Sequence, residues 1–157
     1  DFREAVPEPY GANRALIPDE TFVLVGFYRT EAQYDWLRKT GLYNFRMGSD
    51  RGSLLLDADT VSARYLLLHT TGDLTSDNLW RIKSKGPRVF SREDLIRKGY
   101  PDPSADHYLV IEIEQVTEPE LQNKQWDFRK LANYQSGRAS GLPFTASLVE
   151  FASIGDK

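Results

Sequence analysis

The residues of this chain that could do chemistry are few, and their spacing removes most enzymology at once. There is no cysteine, so thiolate nucleophiles, cysteine-held zinc and disulfides are excluded. The two histidines, His69 and His107, lie 38 positions apart, and neither an HExxH nor a DxDxG run accompanies them. No metal site is expected from that pattern, and no cofactor is implied. Phosphate cradling needs a glycine-rich loop opening a helix, and neither GxGxxG nor GxxxxGK occurs.

Two chemical handles remain. Asp102, followed ten residues later by Glu112 and Glu114, resembles the carboxylate set that holds Mg²⁺ in restriction-type nucleases, without the usual lysine. Alternation alone also explains Glu112 and Glu114, as the wet face of an amphipathic strand. His69 has the residue type of a general base near neutral pH. It ends an apolar run with no carboxylate before Asp73, which equally suits a strand-end histidine held by hydrogen bonds.

Charge distribution is more telling than net charge. The chain carries −3 overall, yet residues 81 to 98 hold Arg81, Lys83, Lys85, Arg88, Arg92, Arg97 and Lys98 against Glu93 and Asp94, a local +5. Such a patch is a polyanion footprint, and Trp80, Phe90 and Tyr100 interleave with it as base-stacking platforms do. The same pattern also describes a solvated basic edge whose aromatics face the core.

These residues need a scaffold, and 157 residues with 40% apolar content suffice for one domain with a sizeable core. No apolar run is long enough for a membrane span and no signal peptide is recognisable, so no membrane partner and a cytoplasmic location are expected. The first residue is Asp rather than Met, which suits a piece of a longer multidomain chain. Residues 1–20, with Pro7, Pro9 and Pro18, read as an irregular arm, and residues 21–157 as a single domain.

Phe22–Tyr28 is a continuous apolar run expected to be a buried strand. Thr30 and Gln33 form a capping box that starts a helix, and Gly41 ends it. Leu42–Met47 reads as a half-buried strand, Gly48–Gly52 as a turn, and Leu54–Leu56 and Ala63–His69 as further strands. Leu79–Ile82 is a short strand, and Ser91, Asp94 and Gly99 bound a helix over 92–98. Residues 108–116 alternate as a long strand, Asp127–Tyr134 reads as a helix, and Phe144–Ile154 as a closing strand. The irregular order predicts an α+β fold: a strongly bent mixed or antiparallel, barrel-like sheet with two to three flanking helices.

The succession Phe22–Tyr28, helix, Tyr43-Asn-Phe-Arg46, Tyr65-Leu-Leu-Leu-His-Thr-Thr-Gly72 and His107–Val116 resembles the PUA-like superfamily, especially its EVE and YTH branches. The strand ending in His-Thr-Thr-Gly is similar to the aromatic-His-(Ser/Thr)-Gly strand end of EVE domains. Asp59-Thr60 stands where a glycine-aspartate pair normally precedes that strand, and the basic insertion at 81–106 is longer than in that pattern.

The resemblance implies a module that binds nucleic acid, DNA or RNA, and reads a modified or flipped base in an aromatic pocket. Tyr28, Tyr43, Asn44, Arg46, His69, Thr70 and Trp80 are then the pocket candidates, with Arg81, Lys83, Lys85 and Arg88 on phosphates. Two alternatives stand beside it: a metal-dependent nuclease using Asp102, Glu112 and Glu114, and a protein-interaction domain of a larger defence or restriction protein.

Overall fold

The computed structural model describes residues 22–46, 61–83, 86–135 and 143–155. The expected arm at 1–20, the Gly48–Gly52 turn, the Leu54–Leu56 strand, Met47 and Lys85 lie outside them.

The chain opens with strand β1 (Phe22–Phe27), helix α1 (Glu31–Thr40) and strand β2 (Leu42–Arg46). Strands β3 (Ala63–His69), β4 (Asn78–Ile82) and β5 (Arg88–Ser91), helix α2 (Arg92–Arg97) and the long strand β6 (His107–Gln115) follow. Two short 3₁₀ turns, Pro119–Leu121 and Phe128–Lys130, lead to strand β7 (Phe144–Ser147) and helix α3 (Leu148–Ala152). The strands form one mixed sheet in the order β2-β6-β4-β3-β1-β7, with β5 also paired to β6. The fold is α+β, with a strongly curled sheet in a half-barrel and three flanking helices.

Local chemistry accounts for the elements around the seam of that curl. β1 and β3 are continuous apolar runs because both faces of each are covered. Leu24, Leu66 and Leu68 join one core cluster with Trp36, Leu37 and the β6 side chains. Val23, Val25, Tyr65 and Leu67 join a second cluster with Trp126, Phe128, Leu131, Phe144 and Phe151. The two strands pair in parallel, Val23 opposite Tyr65 through Phe27 opposite His69, with α1 and β2 in the connection between them. Helix α1 begins at the expected capping box: the Gln33 amide donates to Thr30 Oγ1 at 3.2 Å and the Thr30 amide donates to Gln33 Oε1 at 3.3 Å. Gly41 closes it at φ 69°, its N–H donating to Leu37 O at 2.9 Å. Ser91 and Asp94 form the second expected capping box, on α2.

The curl is visible in one contact. β1 and β2 are four steps apart along the sheet, yet the amide of Phe27 donates to Tyr43 Oη at 3.3 Å and that hydroxyl donates to Phe27 O at 3.4 Å. Gly26 makes the approach possible, because a Cβ there would lie 2.5 Å from Tyr43 Oη.

Three expectations are corrected. The expected helix over Asp127–Tyr134 is interrupted: a 3₁₀ turn over Phe128–Lys130 ends at the extended Leu131 (φ −72°, ψ 142°), and a separate helical stretch runs over residues 132–135, to the edge of the described residues. Phe128 and Leu131 sit three apart, the repeat that a 3₁₀ turn places on one side. The closing strand over Phe144–Ile154 ends at Ser147, where the serine Oγ accepts from the Glu150 amide at 3.3 Å and starts α3. On β6 the expected polar face is buried at Tyr108 and Val110, because β5 and the fully buried Leu95 of α2 cover that end of the strand.

Candidate functional site

A cleft of about 940 Å³ opens where β1 and β3 end beside β2. That volume lies in the range of small-molecule and base pockets. Its lining includes the sequence-predicted Tyr43, Asn44, His69 and Thr70. Joining them are Phe45, two residues from Tyr43 on the same strand, and rings that no local spacing links to them, Phe27, Tyr100, Tyr108, Phe128 and Tyr134.

His69 lies deepest in chemical consequence. It is the last residue of β3, 5% exposed, with its ring stacked on Phe128 at 4.3 Å and edge-on to Phe27 at 5.3 Å. Neither ring nitrogen makes a hydrogen bond among the described residues. Burial disfavours the imidazolium and pushes the His69 pKa down to about 4, against a weaker opposing pull from the Asp73 carboxylate. The side chain is therefore a neutral imidazole at physiological pH, with one donor and one acceptor nitrogen.

The turn after His69 is built around its own hydrogen bonds. The Asp73 amide donates to Thr70 O at 3.1 Å, and the Thr70 amide donates to Asp73 Oδ2 at 2.9 Å. Gly72 supplies the φ of 90° that a turn of this shape needs. Thr70 Oγ1 donates to Tyr28 O at 2.6 Å, so this hydroxyl ties β3 to the residue after β1. Tyr43 forms the floor. Its hydroxyl is held at Phe27, and burial keeps the phenol protonated far above its ordinary range, against a weaker lowering from the Phe27 backbone contact. The Asn44 amide group makes no hydrogen bond among the described residues.

Other predicted site residues go elsewhere. Tyr28 stacks on Tyr34 at 4.9 Å, and the Tyr34 hydroxyl donates to Asn78 Oδ1 at 3.2 Å. The Trp80 indole N–H donates to the same oxygen at 2.8 Å, and the half-buried ring packs on the first core cluster. Tyr34 and Trp80 meet at Asn78, Tyr28 lies on Tyr34, and none of the three rings lines the cleft. Arg46 pairs through its backbone with Tyr108, and its side chain lies outside the described residues.

The basic segment is largely paired with carboxylates. Arg81 meets Glu114 at 3.1 Å and Glu118 at 3.7 Å, and Tyr65 donates to Glu118 at 2.6 Å. Arg88 meets Glu112 at 2.8 Å, Arg92 meets Asp106 at 2.9 Å, and Arg97 pairs with Asp94. Lys83 is exposed and makes no ion pair among the described residues. The proposed nuclease carboxylates are thereby separated: Glu112 and Glu114 bind arginines, while Asp102 lines the cleft. Among the described residues no three His, Asp or Glu side chains gather as a metal site would require.

Sequence spacing missed Phe128 and Tyr134, which reach the cleft from the far end of the chain, and Arg29, Gln33 and Asp73 on its rim. The one usable signal was Gly26 inside an apolar strand, which marks close approach of another group. No family model matches this chain, and no curated protein matches it significantly. No described helix is long and apolar enough to cross a membrane.

Proposed function

We propose that this chain is a non-catalytic nucleic-acid-binding module of the PUA-like type that accepts a modified or flipped base in the cleft between β1, β2 and β3. The observation that carries the reading is His69: a neutral imidazole, 95% removed from solvent, wedged between aromatic rings, with both nitrogens unpartnered beside a cleft. The His69 nitrogens are open to the cleft, so a ligand edge that hydrogen-bonds them replaces water there, and each such bond contributes about 0.5–1.5 kcal/mol net. Ring walls suit a planar ligand, since stacking contributes about 1–3 kcal/mol per base.

The test is fluorescence-detected binding to unmodified and cytosine- or adenine-methylated oligonucleotides, single- and double-stranded, at low and moderate salt. Modification-dependent binding is the expected result. Absence of binding to every oligonucleotide, even at low salt, overturns the reading and moves the protein-interaction alternative ahead.

A further inference from the structure

The loop from Tyr100 to Ser104 forms part of the cleft rim, and one of its residues is held in an uncommon backbone conformation. Asp102 has φ 52° and lies between Pro101 and Pro103. Left-handed backbone is disfavoured for residues with a Cβ, and a following proline restricts the choice further. The flanks hold it there. The amides of Ser104 and Ala105 both donate to the buried Tyr108 hydroxyl at 2.8 Å, and the Tyr100 amide donates to Leu95 O at 2.9 Å. The Asp102 carboxylate itself makes no hydrogen bond or ion pair among the described residues, whereas Asp73, the other cleft carboxylate, already accepts from the Thr70 amide.

The cleft therefore offers two groups without a partner among the described residues, a buried imidazole and an exposed, solvated carboxylate. His69, nine-tenths buried and unpartnered, presents one donor and one acceptor, while an ionised carboxylate only accepts. Resting on the base-binding reading above, we propose that Asp102 is a specificity-determining residue whose carboxylate accepts a hydrogen bond from an exocyclic amino group of the bound ring. The site then selects amino-bearing bases over their carbonyl counterparts. A carbonyl oxygen facing Asp102 meets a second acceptor, and mismatched edges of this kind discriminate more strongly than shape does.

The experiment uses the full chain and single-stranded oligonucleotides that differ at one base, adenine against hypoxanthine and cytosine against uracil. The expected preference for the amino-bearing member of each pair is about tenfold or more. Asp102→Asn, which keeps the shape and adds a donor, reduces it below about threefold. Asp102→Gly, whose backbone reaches φ 52° without steric strain, removes the preference as well. Binding without amino-over-carbonyl preference, or a preference that survives Asp102→Asn, overturns this inference and leaves the base-binding reading standing. Failure of every oligonucleotide to bind removes both.

Discussion

The basic segment and the cleft are two polar regions of this molecule, and they differ in how far their side chains are paired within the chain. Between residues 81 and 98, Arg81, Arg88, Arg92 and Arg97 each meet a carboxylate of the same chain. In the cleft, His69 and Asn44 have no such partner among the described residues. Charge counted along a sequence overstates what is available to a ligand, because ion pairs form between residues far apart in the chain. An apolar strand that ends in a buried, unpaired imidazole understates it. The difference places the sharper ligand-binding potential in the region with less charge.

The strongest way to break this contrast is to remove the imidazole. His69→Phe keeps a flat ring against Phe128 and Phe27, so the fold survives and its melting temperature at neutral pH is unchanged or higher. Base binding falls about 100-fold or more, roughly 2.7 kcal/mol, in the oligonucleotide titration. The same substitution tests the protonation state. His69 takes a proton near pH 6.5 when unfolded and near 4 when folded, so the unfolded chain binds more protons between these values. The stability is fully present above pH 6.5 and is lost as pH falls toward 4, by an amount of order 2–3 kcal/mol. Asp94, Glu118 and Asp127 are held below their ordinary values and lose their contributions at lower pH still. Denaturation at pH 6.5 and pH 5 therefore isolates the histidine, and His69→Phe flattens that interval. An equal slope in the variant would mean that His69 is charged in the folded protein.

A smaller effect is expected from the floor of the cleft. Gly26→Ala places a methyl 2.5 Å from Tyr43 Oη and 3.2 Å from Leu66 Cδ1, both on buried side chains. Overpacking of this kind costs about 1–3 kcal/mol. Tyr43→Phe removes the nearest atom and leaves Cζ at 2.9 Å, so the clash is relieved in part and the double variant is more stable than the two single changes predict by addition, as read in a chemical-denaturation cycle. Strict additivity would show that β2 simply shifts away, and that the seam does not shape the cleft.

How much of this was legible beforehand follows from the range of the interactions. The capping boxes at Thr30 and Ser91, the αL glycine at 41 and the doubly buried strands β1 and β3 rest on contacts within a few residues, or on burial that leaves a run of apolar side chains. They were readable for that reason. The corrected elements involve distant partners: Phe128, in the 3₁₀ turn that precedes the break at Leu131, packs on His69, 59 positions earlier in the chain. Of the pocket candidates that the resemblance implies, Tyr43, Asn44, His69 and Thr70 line the cleft, whereas Tyr28 and Trp80 do not. The pairing of Asn78 with both Tyr34 and Trp80 separates those rings from the cleft, and it appears only once α1 lies over β4. Asp102 stood out as a metal ligand, and the structure relocates it to the cleft rim.

The smallest expected effect sharpens the contrast from the other side. Arg88 is half exposed and already meets Glu112, so a phosphate must compete with a carboxylate of the same chain for it. Exposed pairs are individually weak, and replacing one partner changes little when the other remains solvated. Arg88→Ala is therefore expected to change nucleic-acid affinity less than about threefold and to leave the salt dependence unaltered. Lys83, exposed and without an ion pair among the described residues, serves as the reference. If it contacts a phosphate, Lys83→Ala lowers the slope of log K against log salt by roughly 0.7 to 0.9. A drop of that size in Arg88→Ala would mean that the Glu112 pair opens on binding. The basic segment would then be a reserve of charge released by the ligand, and the distinction between the two regions would hold only for the unbound protein.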